Sequence, residues 1–320
     1  MANQGARGTV ASGTNGRSGR LQREPLLRRS ARVGVATVLA LIVAAGLQVR
    51  AATPSFIWKA TGPNGGTTYL AGSIHLLTSE YYPLTPAFED AFASADLLVE
   101  EVDMAEMLAP ESQMLMLRRG MMPAGQTLDS VMSADTMAVV KAKVTELGLP
   151  LQPLQLFKPW ALALTLQALE WQKAGYNADL GLDRHFYDRA KQAGIAVQGL
   201  ETLEFQIGQF DGLTMPLQER MLSQTLKEMA TTKSSVDELA RAWKAGDAAA
   251  IEKVVLSDLK SEPEMYQRLL LARNRTWLPK VEALFQRPKP AFVVVGAAHL
   301  VGADGLVAML RAKGYTVTQL

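Results

Sequence analysis

The chain has 320 residues, 33 Lys plus Arg against 31 Asp plus Glu, three His and no Cys. With 48% hydrophobic and 20% charged residues it has the composition of a folded domain, which excludes a disordered or fibrous chain. The missing Cys excludes disulfide scaffolds, thiolate metal sites, iron–sulfur clusters, Cys nucleophiles and a lipoprotein anchor, so any chemistry must use other side chains.

The first 52 residues carry eight Arg and a single acid, Glu24, which leaves 25 bases against 30 acids in residues 53–320. The positive charge therefore belongs to the N-terminal segment, and no nucleic-acid partner is expected. Residues 33–47 (VGVATVLALIVAAGL) are 15 apolar residues behind Arg28, Arg29 and Arg32, with small residues at Val49 and Ala51. This pattern predicts a secretory signal peptide cut after Ala51 or Ala52. Since a membrane span needs about 20 apolar residues, an uncleaved anchor is the alternative, and contact with a membrane would come through this segment alone. An exported protein, periplasmic or secreted, is expected, with residues 53–320 as its working domain. Nothing in the pattern speaks to oligomeric state.

In residues 56–59 and 67–71, β-prone runs flank GPNGG, which predicts a hairpin. Residues 86–95 predict a helix with Pro in its first turn, and 96–101 (DLLVEE) an apolar strand ending in acids. The pattern from 104 to 212 is mostly helical, broken at 120–125 and 148–153, with one strand at 195–200. Residues 214–287 again read as helices. At the end stand an apolar strand at 291–295 (AFVVV), the loop GAAHLVGADG, a helix at 306–313 and a last strand YTVTQL. The expected fold is α/β (α+β): a central β-sheet covered by many helices, the hairpin and the C-terminal β-loop-α-β unit feeding one site. Nucleotide-binding glycine motifs are absent, as are GxSxG, HExxH and Ser-x-x-Lys.

Two of the three histidines share one setting: a strand, then Gly72-Ser73-Ile74-His75 or Gly296-Ala297-Ala298-His299. A Gly after a strand lets the chain turn sharply, so each imidazole projects from the carboxyl edge of the sheet, where open α/β sheets place ligands. Imidazole is the commonest metal ligand and the usual acid–base group near neutral pH, so the pair is a candidate for either role. Glu100 and Glu101 face opposite sides of their strand, and period 2 places Glu101 with Asp103, which makes Glu101 the better site residue. Asp183 sits at a helix start and fits either the site or the helix dipole. Glu201 either enters the site or caps the next helix. Arg273 and Asn274 lie in a long helix, where Arg pairs with an acid or binds an anion. His185 reads as an exposed helix residue. The methionines between 104 and 122 (Met104, Met107, Met114, Met116, Met121, Met122) read as adaptable core or a flexible apolar groove rather than a copper site.

The segments FIWKATGPNGGTTYLAGSIHLL, ADLLVEEVD, GLDRHFYDRAKQAGIAVQGLETLEFQ, ARNRTWLPKV and FVVVGAAHLVGADGLVAMLRAKGYTV together resemble the TraB/GumN family, which is related to the Tiki metalloproteases and similar to the erythromycin-esterase and ChaN-like group. The resemblance spans about residues 55–320 and rests above all on the paired GxxH motifs. It implies a divalent-metal-dependent peptidase with manganese or cobalt, or zinc as a further choice, acting on a peptide or protein. Position by position it implies His75, His299, Glu101 and Asp183 as metal residues, and Glu101, Glu201 and Arg273 as catalytic ones. One departure is Ala272, where bacterial relatives often carry an acid. Two further readings compete: a noncatalytic exported protein binding a peptide, glycan or haem-like ligand through the Met-rich groove, and a metal-free hydrolase in which a His acts directly as base.

Overall fold

The computed structural model describes residues 54–320; the expected signal peptide, its basic flank and its cleavage positions lie outside the described residues. Six strands form one sheet: β1 (Ile57–Thr61), β2 (Thr67–Ser73), β3 (Leu97–Val102), β4 (Ala196–Glu201), β5 (Ala291–Gly296) and β6 (Thr316–Gln319), in the order β4-β3-β5-β2-β1-β6. The neighbours β4, β3, β5 and β2 run parallel, whereas β1 is antiparallel to both β2 and β6.

Helices cover both faces, and the two inner strands read accordingly. Every residue of β3 (LLVEEV) and of β5 (AFVVVG) is buried, the pattern of strands sandwiched between helical layers rather than alternating with solvent. The helix Leu182–Ala193 buries Leu182, Phe186, Tyr187 and Ala190 and stops at Gly194, whose φ of 68° caps it. Its Phe186 ring lies 4.5 Å from that of Phe292 in β5. On the other side the helix Ala272–Leu284 buries Trp277, Val281 and Leu284, and a five-residue π-helical turn, Gln267–Leu271, leads into it. A separate helical cluster, with Leu128, Val140, Leu162, Leu166 and Leu222 at its centre, packs away from the sheet.

Register fixes the site. Ser73 of β2 pairs with Gly296 of β5, and Val102 of β3 pairs with Glu201 of β4, so all four parallel strands end along one edge. Chain segments leaving these strands are thus delivered to a common crevice. The sheet, the hairpin and the C-terminal unit agree with the sequence reading. Met122 is buried, but Met107, Met114 and Met116 are 40%, 64% and 41% exposed, so of the two alternatives core filling fails for those three. Among the described residues no helix is long and apolar enough to cross a membrane.

Candidate functional site

Two residues beyond β2 stands His75. Its Nδ1 lies 2.8 Å from Asp183 Oδ2, and the same oxygen accepts a short hydrogen bond from Ser73 Oγ. Asp183 reaches this position because its helix begins directly against the His75 backbone: Leu182 N–H donates to Ile74 O at 3.2 Å. Gly181 makes the approach possible, since a Cβ there would fall 2.1 Å from the His75 carbonyl oxygen. With Nδ1 held by a carboxylate, His75 directs Nε2 at a cavity of about 370 Å³ that His75, Glu101 and Asp183 all line. Although 59% of the His75 side chain is exposed, the charge of Asp183, with its hydrogen bond and Glu101 in support and desolvation against the surrounding groups in opposition, raises the imidazole to about 9.

At the neighbouring strand end, buried His299 hydrogen-bonds through Nδ1 to Asn274 Oδ1 at 2.6 Å. Asn274 Nδ2 donates to the carbonyls of His299 and Asp304, so its Oδ1 is the acceptor and His299 Nδ1 carries the proton. His299 Nε2 then accepts from Arg273 Nη1 at 3.1 Å. Burial, aided by the charges of Arg273 and His75 against that of Glu101, pushes His299 down to about 3, which keeps it neutral.

Arg273 is the hub. Its Nη2 donates to Glu101 Oε2 at 2.6 Å and to Glu201 Oε1 at 2.7 Å, and the guanidinium stacks 4.6 Å from the Trp277 ring. Glu101 also accepts from Gly296 N–H at 2.7 Å and from Gln206 Nε2 at 3.1 Å. Burial opposes ionisation of Glu101, but Arg273, the two imidazoles and the Gly296 N–H overcome it and hold the carboxyl well below the usual range. Glu201 is shifted the other way by burial, despite Arg273 and the 2.9 Å hydrogen bond from Trp277 Nε1.

Gly296 keeps the centre open. A Cβ on it would stand 3.2 Å from Glu101 Oε1 and 3.6 Å from both His75 Nε2 and the His299 ring. Both histidines and Glu101 therefore face one small volume, although 224 residues separate His75 from His299. Two imidazoles and a carboxylate suit a borderline divalent cation better than Mg or Ca. Glu101 and Glu201 share the Arg273 guanidinium and Asp183 pairs with His75, so three carboxylates face two cationic groups and the field favours added positive charge. In this conformation Glu101 Oε1 retains a lone pair for an ion and His75 Nε2 offers one only after losing its proton, whereas the His299 Nε2 lone pair is taken by Arg273. Among the described residues no three His, Asp or Glu side chains gather closely enough to hold an ion as they stand. The donors fit a cation, provided Arg273 releases His299.

All six candidate site residues, His75, Glu101, Asp183, Glu201, Arg273 and His299, meet at this edge. Two local expectations need correction, for Asp103 and His185, and one open alternative, for Glu201, is decided in favour of the site. Asp103 does not join Glu101: the chain leaves the strand at Val102, and Asp103 caps the helix Met104–Leu108 by accepting from Ala105 N–H. Glu201 does not cap the helix Leu203–Asp211, a role taken by Thr202. His185 is not exposed but half-buried, its ring 4.9 Å from Tyr82, and it does not line the cavity. Ser73, Gln206 and Trp277 were missed. Ser73 and Gln206 lie inside motif segments, and a Trp one helical turn after Arg273 was a signal for Trp277.

A model of the TraB/PrgY/gumN family matches residues 56–319. Two curated relatives, the uncharacterized protein YbaP of Shigella flexneri and that of Escherichia coli (strain K12), are each 27% identical over 262 residues, covering 80% of this chain and 93% of the relative. No solved structure matches.

Proposed function

Because the chain belongs to the TraB/PrgY/gumN family, we propose that it is an exported metal-dependent hydrolase, a peptidase, working at the cavity beside His75. One observation carries this reading: His75 Nε2, Glu101 Oε1 and the His299 ring surround the open space at Gly296 under a net negative field. His75, His299 and Glu101 would hold a manganese, cobalt or zinc ion, with Asp183 orienting His75 from behind. Such an ion supplies Lewis acidity and a bound water of lowered pKa.

The protein's own groups do the rest. Asp183 fixes the Nδ1–H form of His75, which must give up its Nε2 proton before it can ligate. Arg273, charged and shared between Glu101 and Glu201, is placed to stabilise the oxyanion that forms when water adds to a peptide carbonyl. In hydrolysis the water oxygen bonds to the carbonyl carbon, the C–N bond breaks, and the departing nitrogen takes a proton. The apolar wall formed by Leu76, Val102 and Met104 limits competing water. The basic and apolar run at 28–47 supports export.

A second, metal-free reading is favoured by the Arg273 hydrogen bond on His299 Nε2 and by the His75–Asp183 pair. There His75 is the proton donor to the leaving group, and no ion intervenes. Elemental mass spectrometry on wild type, His75→Ala and His299→Ala, after metal loading and desalting, separates the two. Near-stoichiometric Mn, Co or Zn lost in both variants is the expected result. A folded wild type that retains no ion but hydrolyses amides in the presence of a chelator overturns the metal-dependent reading.

A further inference from the structure

We infer that Met107 and Leu108 set substrate specificity: with Met104 they form an apolar ledge in the cavity beside His75 that receives a large apolar side chain of a peptide. The preference for an apolar side chain follows from the ledge itself, and the choice of a peptide rests on the hydrolase reading.

Eight large apolar side chains are exposed among the described residues, and five of them, Met107, Leu108, Met114, Met116 and Leu117, fall within eleven positions. Single exposed apolar residues are ordinary, but a concentration of them marks a binding surface. Met107 and Leu108 stand apart from the other three because they line the cavity that His75, Glu101 and Asp183 also line. Met104, Met107 and Leu108 are at i, i+3 and i+4 of the helix Met104–Leu108 and so share one face. Polar bonds hold the rest of that helix: Asp103 accepts the Ala105 N–H at 2.8 Å, and Glu106 Oε1 accepts the Leu203 N–H at 2.9 Å. None of its residues is fully buried, and Met107 and Leu108 stay 40% and 46% exposed, apolar area that the protein's own core leaves uncovered.

The surroundings of the ledge select the occupant. The cavity, about 370 Å³, is within the roughly 300–1,000 Å³ of small-ligand pockets. Its lining also includes Asp179 and Arg184, charges of both signs from a different part of the chain, and Asp179 is exposed. A flat lipid surface could not cover the ledge without desolvating these charges, whereas one side chain entering the cavity can. Methionine is unbranched and adapts its rotamers, so the ledge takes aliphatic and aromatic side chains alike. It disfavours a polar side chain of equal size, whose hydrogen bonds with water no group of the ledge replaces. A residue seated there carries its peptide bonds into the cavity that His75 and Glu101 line, so the ledge selects a residue beside the scissile bond.

The test measures binding of acetyl-Gly-Gly-Xaa-Gly-Gly-amide to the purified protein by calorimetry or NMR titration, with Leu, Phe, Asn or Gly at the central position. Leu and Asn have nearly the same shape, so that pair separates polarity from size. Wild type should bind the Leu and Phe peptides at least about tenfold more tightly than the Asn and Gly peptides. In the double variant Met107→Ser/Leu108→Ser the difference should fall below about twofold, and in Met107→Leu/Leu108→Met it should persist. Equal binding of the four peptides by wild type, no binding of any, or a preference that survives the serine variant would each overturn the inference. So would the absence of a peptide preference together with vesicle co-sedimentation on phosphatidylcholine, or a wild-type dimer, that the serine variant abolishes. Should the double variant not fold, the wild-type comparison and Leu108→Asn alone, which should lower the preference at least about threefold, decide the question. A protein that prefers the Leu peptide yet cleaves no amide keeps the ledge and removes the hydrolase reading. One that cleaves amides without regard to the central residue does the reverse.

Discussion

Arg273 Nη1 lies 3.1 Å from His299 Nε2, and Arg273 Nη2 lies 2.6 Å from Glu101 Oε2, so one guanidinium occupies both a histidine lone pair and a carboxylate that an ion would need. The protein as it stands carries an internal cation where an external one is proposed. Replacing it tests that equivalence. Arg273→Met strands Glu101 and Glu201 as buried, unpaired carboxylates, and the expected loss of stability is about 3–5 kcal/mol in urea unfolding. Millimolar Mn should recover part of this loss in the variant and little in wild type. A variant as stable as wild type, or indifferent to the ion, would contradict this account.

The two site histidines should respond to pH with opposite signs. His75, raised to about 9 from 6.5, contributes stability that is complete below 6.5 and is lost as pH climbs through 9. His299, lowered to about 3 from 6.5, contributes stability that is present above 6.5 and is lost as pH falls toward 3. NMR titration of the ion-free protein should show the His75 ring changing near pH 9 and the His299 ring silent between about pH 5 and 9. The stability gap between wild type and Asp183→Asn should be wide at about pH 6 and closed by about pH 10. A His75 ring that titrates near 6.5 would mean that the Asp183 pair is not formed in solution.

Gly296→Ala isolates the open space from the fold. Gly296 has φ −48° and ψ 137°, which Ala adopts without strain, so the backbone tolerates the change. The new methyl meets Glu101 Oε1 at 3.2 Å and sits 3.6 Å from both histidine rings. The variant should fold with a melting temperature within a few degrees of wild type and yet retain no divalent ion in elemental analysis. Full ion retention would move the proposed site away from Gly296.

Most of the candidate site was legible in the sequence because its parts recur as local signals. The twin Gly-x-x-His turns mark strand ends, DLLVEE marks a strand running into acids, and Gly181 before Asp183 marks a helix start. What misled was register within single turns. Period 2 assigned Asp103 to the side of Glu101, but periodicity holds only while the strand lasts, and β3 stops at Val102. The cap at 201–202 was ambiguous because both Glu and Thr can accept a helix N–H, and Thr202 takes it here because Arg273 and Trp277 draw Glu201 into the site.

By itself the sequence determined the class of fold, the strands that end in histidines and acids, and the family to which residues 56–319 belong, since apolar runs, glycine turns and motif spacing are local or linear properties. Only the tertiary structure decided that Arg273, and not an acid, stands against His299, that His75 has Asp183 behind it, and that Glu100 is buried with an orphan oxygen. Those pairings join residues between 26 and 108 positions apart. They follow from where helices settle on the two faces of the sheet, and the cost of leaving a buried charge or hydrogen bond unmet selects among the partners that packing brings within reach.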